Sequence, residues 1–152
     1  MEKIEVLQSI RAARRAHTEW VDKAKSLVNG LPVKKEQIPL EVTACEFGRW
    51  FYSDGQILLS FFTEDAIEKL DNKHKELHDV YMKIFKIYFP NTKGSFFSKI
   101  FKSKKVITAQ EENTALAYLR NLEEVSRELI SFLNVIEKKL NTVEEERFLK
   151  CL

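Results

Sequence analysis

The sequence predicts an all-α protein, and three observations carry that prediction. The four glycines and three prolines all fall within residues 30–55 or 90–94, so the blocks 1–29, 56–89 and 95–152 contain no strong helix breaker. Apolar residues in those blocks recur at three- and four-residue steps, the period of one helix face. No segment alternates with the period of two that a half-buried strand requires. The expected architecture is an antiparallel four-helix-type bundle with a short extra helix or turn carrying Cys45, a single domain over residues 1–152.

In the first block the stripe runs through Leu7, Ile10, Ala13, His17, Trp20/Val21, Ala24 and Leu27/Val28, and Asn29-Gly30 reads as its stop. Residues 30–55 then hold Pro39 and the run VTACEFGRWFYSDG, a short helix or irregular turn with a tight backbone approach expected at Gly48. The second stripe is Ile67, Leu70, His74, Leu77/His78, Tyr81, Ile84/Phe85 and Tyr88. Thr63 serves as its N-cap, Glu64 and Asp65 face the positive helix end, and Pro90 ends it. Residues 90–107 form a connection with five lysines and no acidic residue; Phe96, Phe97, Ile100 and Phe101 share one face of a possible short helix there. Packing of those phenylalanines on the bundle is preferred to contact with an anionic surface or partner. The last helix, about 108–150, carries a heptad seam of Leu119, Leu122, Ser126, Leu129, Leu133, Ile136, Leu140 and Val143, which suits packing within one bundle or across a dimer.

Composition narrows the function. With 152 residues the chain is about one domain long, and 25 Lys+Arg against 23 Asp+Glu leave a net charge of only +2. Binding driven by phosphate neutralisation needs a basic excess, so nucleic acid is not an expected partner. No apolar run reaches the ~18 residues of a membrane span, and the N-terminus has no signal-peptide stretch. Two cysteines are too few for a disulfide scaffold. A reduced, cytoplasmic protein is expected, with Cys151 an incidental thiol near the C-terminus.

The three histidines, His17, His74 and His78, all lie on apolar stripes. Taken singly, each reads as a hydrogen-bonded core residue, and Cys45 as a small buried hydrophobe. Taken together they read differently. His74 and His78 stand one turn apart on one helix face, and Cys45 lies in the connection between the two histidine-bearing helices. Three imidazoles and one thiolate make a closed tetrahedral zinc set; by ligand type alone, copper and nickel are compatible with the same donors. Trp20 and Trp50 are expected as core aromatics around that site, and Glu19, Glu46, Asp71 and Asp79 stand near enough in sequence to orient imidazoles.

Three segments, His17-Thr-Glu-Trp20, Cys45-Glu-Phe47-Gly48-Arg-Trp50 and His74-Lys-Glu-Leu-His78, resemble the three-part signature of the chemoreceptor zinc-binding (CZB) domain family in order, internal spacing and interval. The resemblance is strong over residues 10–90 and covers the last helix by general character only. It implies a bacterial cytoplasmic helical bundle, often a homodimer, that binds one Zn²⁺ through His17, Cys45, His74 and His78. It further implies regulation of chemoreceptor or diguanylate cyclase signalling, triggered by zinc availability or by oxidants such as hypochlorous acid at the cysteine. The chain carries neither a nucleotide-cyclising domain nor a receptor's long methylated coiled coil, so the expectation is either an excised domain or a stand-alone regulator, with the start at Met1 and the end at Cys151-Leu152 fitting the second somewhat better. A structural zinc staple or adaptor is the alternative. Enzymatic activity is not expected: no Glu-x-x-His pair of a di-iron bundle is present, and four protein donors leave a catalytic zinc no open position.

Overall fold

The computed structural model describes residues 1–31, 33, 41–90 and 106–151. Its elements are α1 (Lys3–Val28), α2 (Glu46–Phe51), a 3-10 turn (Asp54–Ser60), α3 (Glu64–Tyr88), α4 (Ala109–Thr142) and α5 (Glu145–Leu149), with no strand among the described residues. The all-α bundle is therefore observed, built on three long helices with the short α2 and the 3-10 turn packed against α1 and α3. The basic connection, with its lysines and phenylalanines, lies almost wholly outside the described residues.

The local signals act as the residue chemistry requires. α1 closes in a Schellman motif: Gly30 takes φ 76°, its N–H donates to Leu27 O, and the Leu31 N–H donates to Ser26 O. Thr63 Oγ1 accepts from Ala66 N at 3.2 Å, as expected of the α3 N-cap, and α3 ends at Tyr88 ahead of Pro90. α4 opens with a reciprocal capping box, in which Thr108 Oγ1 accepts from Glu111 N while Glu111 Oε2 accepts from Thr108 N.

All three predicted stripes are buried, including every member of the α4 seam, Ser126 among them. The seam is used within the chain. α4 runs antiparallel to α1, with Lys25 paired to Glu123 and Arg11 and Arg14 to Glu137, and antiparallel to α3, with Lys73 paired to Glu128 and the Lys83 ammonium over the Tyr118 ring. Consequently α1 and α3 run parallel, and their direct contact is sparse; both lean on α4. Each fully buried Leu or Ile contributes roughly 1.5–3 kcal/mol, so this apolar seam outweighs the surface ion pairs, worth about 0–1 kcal/mol each.

The sequence reading carries the last helix to about 150, whereas the structure breaks it at Val143, which adopts an extended conformation (φ −76°, ψ 126°). The reason is tertiary. Phe148 on α5 turns back beneath the bundle end and stacks on Phe61 at 5.2 Å, and the Lys3 ammonium donates to Val143 O and Asn141 O. Burying Phe148 offsets the helical hydrogen bonds given up at the break.

Candidate metal centre

The sparse seam between α1 and α3 is bridged by polar side chains. His17 comes from the middle of α1, Cys45 is the N-cap of α2, and His74 and His78 come from the facing side of α3. All four are at most 3% exposed, and one donor atom from each lies within 4.8 Å of every other. Cys45 Sγ stands 3.3 Å from His74 Nε2, and His78 Nε2 stands 3.1 Å from the same nitrogen. The four residues singled out in the sequence are thus brought together without exception.

Two of the donors, His17 and Cys45, are aimed by backbone groups. The His17 Nδ1–H donates to the Ala13 carbonyl one turn back at 2.6 Å, which fixes the tautomer and leaves Nε2 as the lone pair facing the cluster. Cys45 occupies a cap position, and its Sγ accepts from the Gly48 N–H at 3.1 Å. Gly48 is required by space. A Cβ built there would collide with the Val42 carbonyl oxygen and lie 2.9 Å from Val42 C and 3.3 Å from Cys45 Sγ. The tight approach expected at Gly48 is therefore real, and it folds the 42–45 turn onto the first turn of α2.

Aromatic walls exclude water. Trp20 lies 4.9 Å from the His17 ring and 4.7 Å from the His78 ring, while Phe47 packs edge-on to His74 at 4.8 Å. Phe47 takes the place that the sequence reading gave to Trp50. Trp50 is only partly buried and covers Phe47 and Gly55, one step away from the donors. Asp71, one of the four carboxylates near the donors in sequence, is engaged elsewhere. Its oxygens engage Tyr52 and Lys75, and the imidazole whose orienting bond is clearest, His17, uses a backbone carbonyl.

The electrostatics suit a cation. Burial lowers His17 to about 4 and His74 to about 2, so both rings are neutral at pH 7 and offer lone pairs. Burial likewise raises the Cys45 thiol, opposed by the Gly48 N–H, so only a strong local positive charge would hold it as thiolate. Two buried ring nitrogens, His17 Nε2 and His74 Nδ1, have no hydrogen-bond partner. Orphans of that kind cost about 1–3 kcal/mol each. An ion accepting the His17 Nε2 lone pair removes one of them. Tetrahedral zinc with N donors at about 2.0–2.1 Å and S at about 2.3 Å spaces its ligands roughly 3.3–3.7 Å apart, close to the 3.1 and 3.3 Å separations at His74. Three imidazoles and a soft sulfur in a dry pocket therefore fit Zn²⁺.

Among the described residues no helix is long and apolar enough to cross a membrane. Comparison with curated proteins and with solved structures gave no match. Residues 17–85, just under half of the chain, match the family model described as the chemoreceptor zinc-binding domain, a span that opens at His17 and runs past His78.

Proposed function

With the chemoreceptor zinc-binding domain at residues 17–85 as premise, we propose that the chain is a zinc-binding regulatory module in which His17, Cys45, His74 and His78 hold one Zn²⁺. The single observation that carries this reading is the convergence of those four buried donors within 4.8 Å. No donor position is left for substrate or water, which supports a regulatory or structural ion over a catalytic one.

The cysteine is the responsive element. Bound zinc supplies the positive charge that keeps Cys45 as thiolate, the form that oxidants attack. Attack by hypochlorous acid transfers two electrons from sulfur, giving Cys45 sulfenic acid and chloride. The oxidised sulfur is a poorer donor, so the 42–45 turn loses its hold while the three histidines remain. A swing of the Cys45 end of α2, which packs on α1, would then alter the α1–α3 seam. The readout would be a change in packing passed to a cytoplasmic chemoreceptor or cyclic-di-GMP signalling protein, with a second copy of the chain as the assembly partner.

The test is zinc content per chain, followed through a hypochlorous acid titration of wild type and Cys45→Ser. One zinc per chain, released at about one oxidant equivalent in wild type only, supports the switch. Retention of zinc until the chain unfolds leaves a structural staple. Absence of zinc after refolding with the metal refutes the ligand assignment.

A further inference from the structure

α2 is fastened to α3 at both ends, and only one of the fastenings belongs to the donor set. At its N-terminus, Cys45 Sγ meets His74 Nε2 at 3.3 Å. At its C-terminus, the Tyr52 hydroxyl donates to Asp71 Oδ1 at 2.5 Å. Asp71 lies one turn before His74 on α3, and its second oxygen accepts from the Lys75 ammonium at 2.6 Å. Both carboxylate oxygens are thus engaged, with one partner from α2 and one from α3 itself. The Asp71 side chain is 19% exposed and Tyr52 39%, so the phenol–carboxylate bond lies at the surface beside the buried donors.

From this arrangement we infer that Tyr52 and Asp71 are positioning residues for Cys45: they keep α2 docked on α3 whenever the sulfur leaves the metal, and so return the sulfur to it. The inference rests on the zinc-binding reading above. A hydrogen bond to a charged acceptor is among the stronger neutral–ion contacts, and this one acts across a short rigid lever. α2 is six residues long, so its two ends move as one piece. With the Tyr52 end held, a detached Cys45 remains at high effective concentration beside His74. With that end free, only the packing of Phe47 and Phe51 in the core holds α2, so Cys45 ranges more widely and re-ligation is slower. Lys75 contributes by holding Asp71 as the acceptor; its own side chain is half exposed.

The experiment uses the full chain with Cys151→Ser, so that Cys45 is the only thiol. Zinc release to a chromophoric chelator is timed for Tyr52→Phe and Asp71→Asn, each alone and combined with Cys45→Ala. The expected result is release about tenfold faster for either variant with Cys45 present, and no acceleration when Cys45 is already absent. Equal acceleration in both backgrounds would assign the two residues a general structural role and overturn the inference, as would no acceleration at all. A second measurement is the rate of Cys45 alkylation by iodoacetamide in metal-free protein, which should rise in both variants at unchanged melting temperature. If the wild type binds no zinc, the functional reading fails first. The alkylation rate then decides the tether alone: an unchanged rate overturns it too.

Discussion

Gly48→Ala tests the local geometry most directly. Helix propensity on its own favours alanine over glycine by about 1 kcal/mol, so a permissive position in α2 would gain stability from the change. Here the added Cβ collides with the Val42 carbonyl oxygen and stands 2.9 Å from its carbon, with Cys45 Sγ 3.3 Å away. The obstacle is backbone, which cannot rotate aside as a side-chain tip can. Separating the atoms requires the 42–45 turn to retreat by about 1 Å, a displacement of the kind that costs roughly 1–3 kcal/mol in a packed region. For a chain of this size that corresponds to a fall in melting temperature of about 2–12 °C. Zinc ligation tolerates departures of only about 0.2 Å, and disturbing the groups behind a ligand weakens binding about 10–100-fold. The assay is chelator competition for zinc, alongside thermal melts with and without the metal. Gly30→Ala is the control. Gly30 has φ 76° and nothing within 4 Å of a built Cβ, so the change should cost about 1–2 kcal/mol of stability through backbone strain alone. It should leave zinc affinity intact. A Gly48→Ala protein that melts at or above wild type with unchanged zinc affinity refutes the reasoning.

Three further outcomes are expected. Because burial holds His17 near 4 and His74 near 2, neither carries a proton to lose at pH 6; zinc binding there should release about one to two protons fewer than if both rings had ordinary values, a difference that calorimetry in buffers of different ionisation enthalpy resolves. Removing zinc should cost about 4 kcal/mol relative to metal at a thousandfold excess over its Kd, a drop of roughly 8–16 °C in melting temperature; an unshifted melt on chelation contradicts a bound metal. Finally, the Glu137 carboxyl is held below its ordinary value by its hydrogen bonds to Arg11 and Arg14, so this contact stabilises the fold above the carboxylate range and is lost as pH falls through its folded-state value. Glu137→Gln should therefore lower stability by about 1 kcal/mol at pH 7, with the gap to wild type closing on acidification in urea titrations.

The legible parts of this protein were those governed by short-range rules. The stripes of α1, α3 and α4 follow from spacing, Gly30 from its left-handed conformation, and Thr63 from hydroxyl capping; all are properties of a few neighbouring residues. The Thr108-Ala-Gln-Glu111 capping box was equally local, and its spacing was sufficient to find it. The four donors stood out because polar residues on apolar stripes demand a partner. What sequence did not give was tertiary in origin. Phe47 and not Trp50 reaches the histidines because the direction of α2 is set by the Gly48–Val42 contact. The break at Val143 depends on Phe61, more than 80 residues away in the chain. Tyr52 and Asp71, 19 residues apart, are joined only because the 3-10 turn folds α2 back along α3.

The dependence of α1 and α3 on α4 has a consequence for the order in which the protein is made. All four donors lie between residues 17 and 78, whereas the helix that both histidine-bearing helices lean on begins at Ala109. A chain growing from its N-terminus therefore exposes every ligand before it owns the scaffold that spaces them. At that stage the two donor helices have little to hold them in register. The metal-binding geometry is completed only when Leu122, Leu129 and Leu133 arrive to be buried between them. On the proposed function, the zinc site is thus completed only after α4 has emerged, although its four donors are made before that helix.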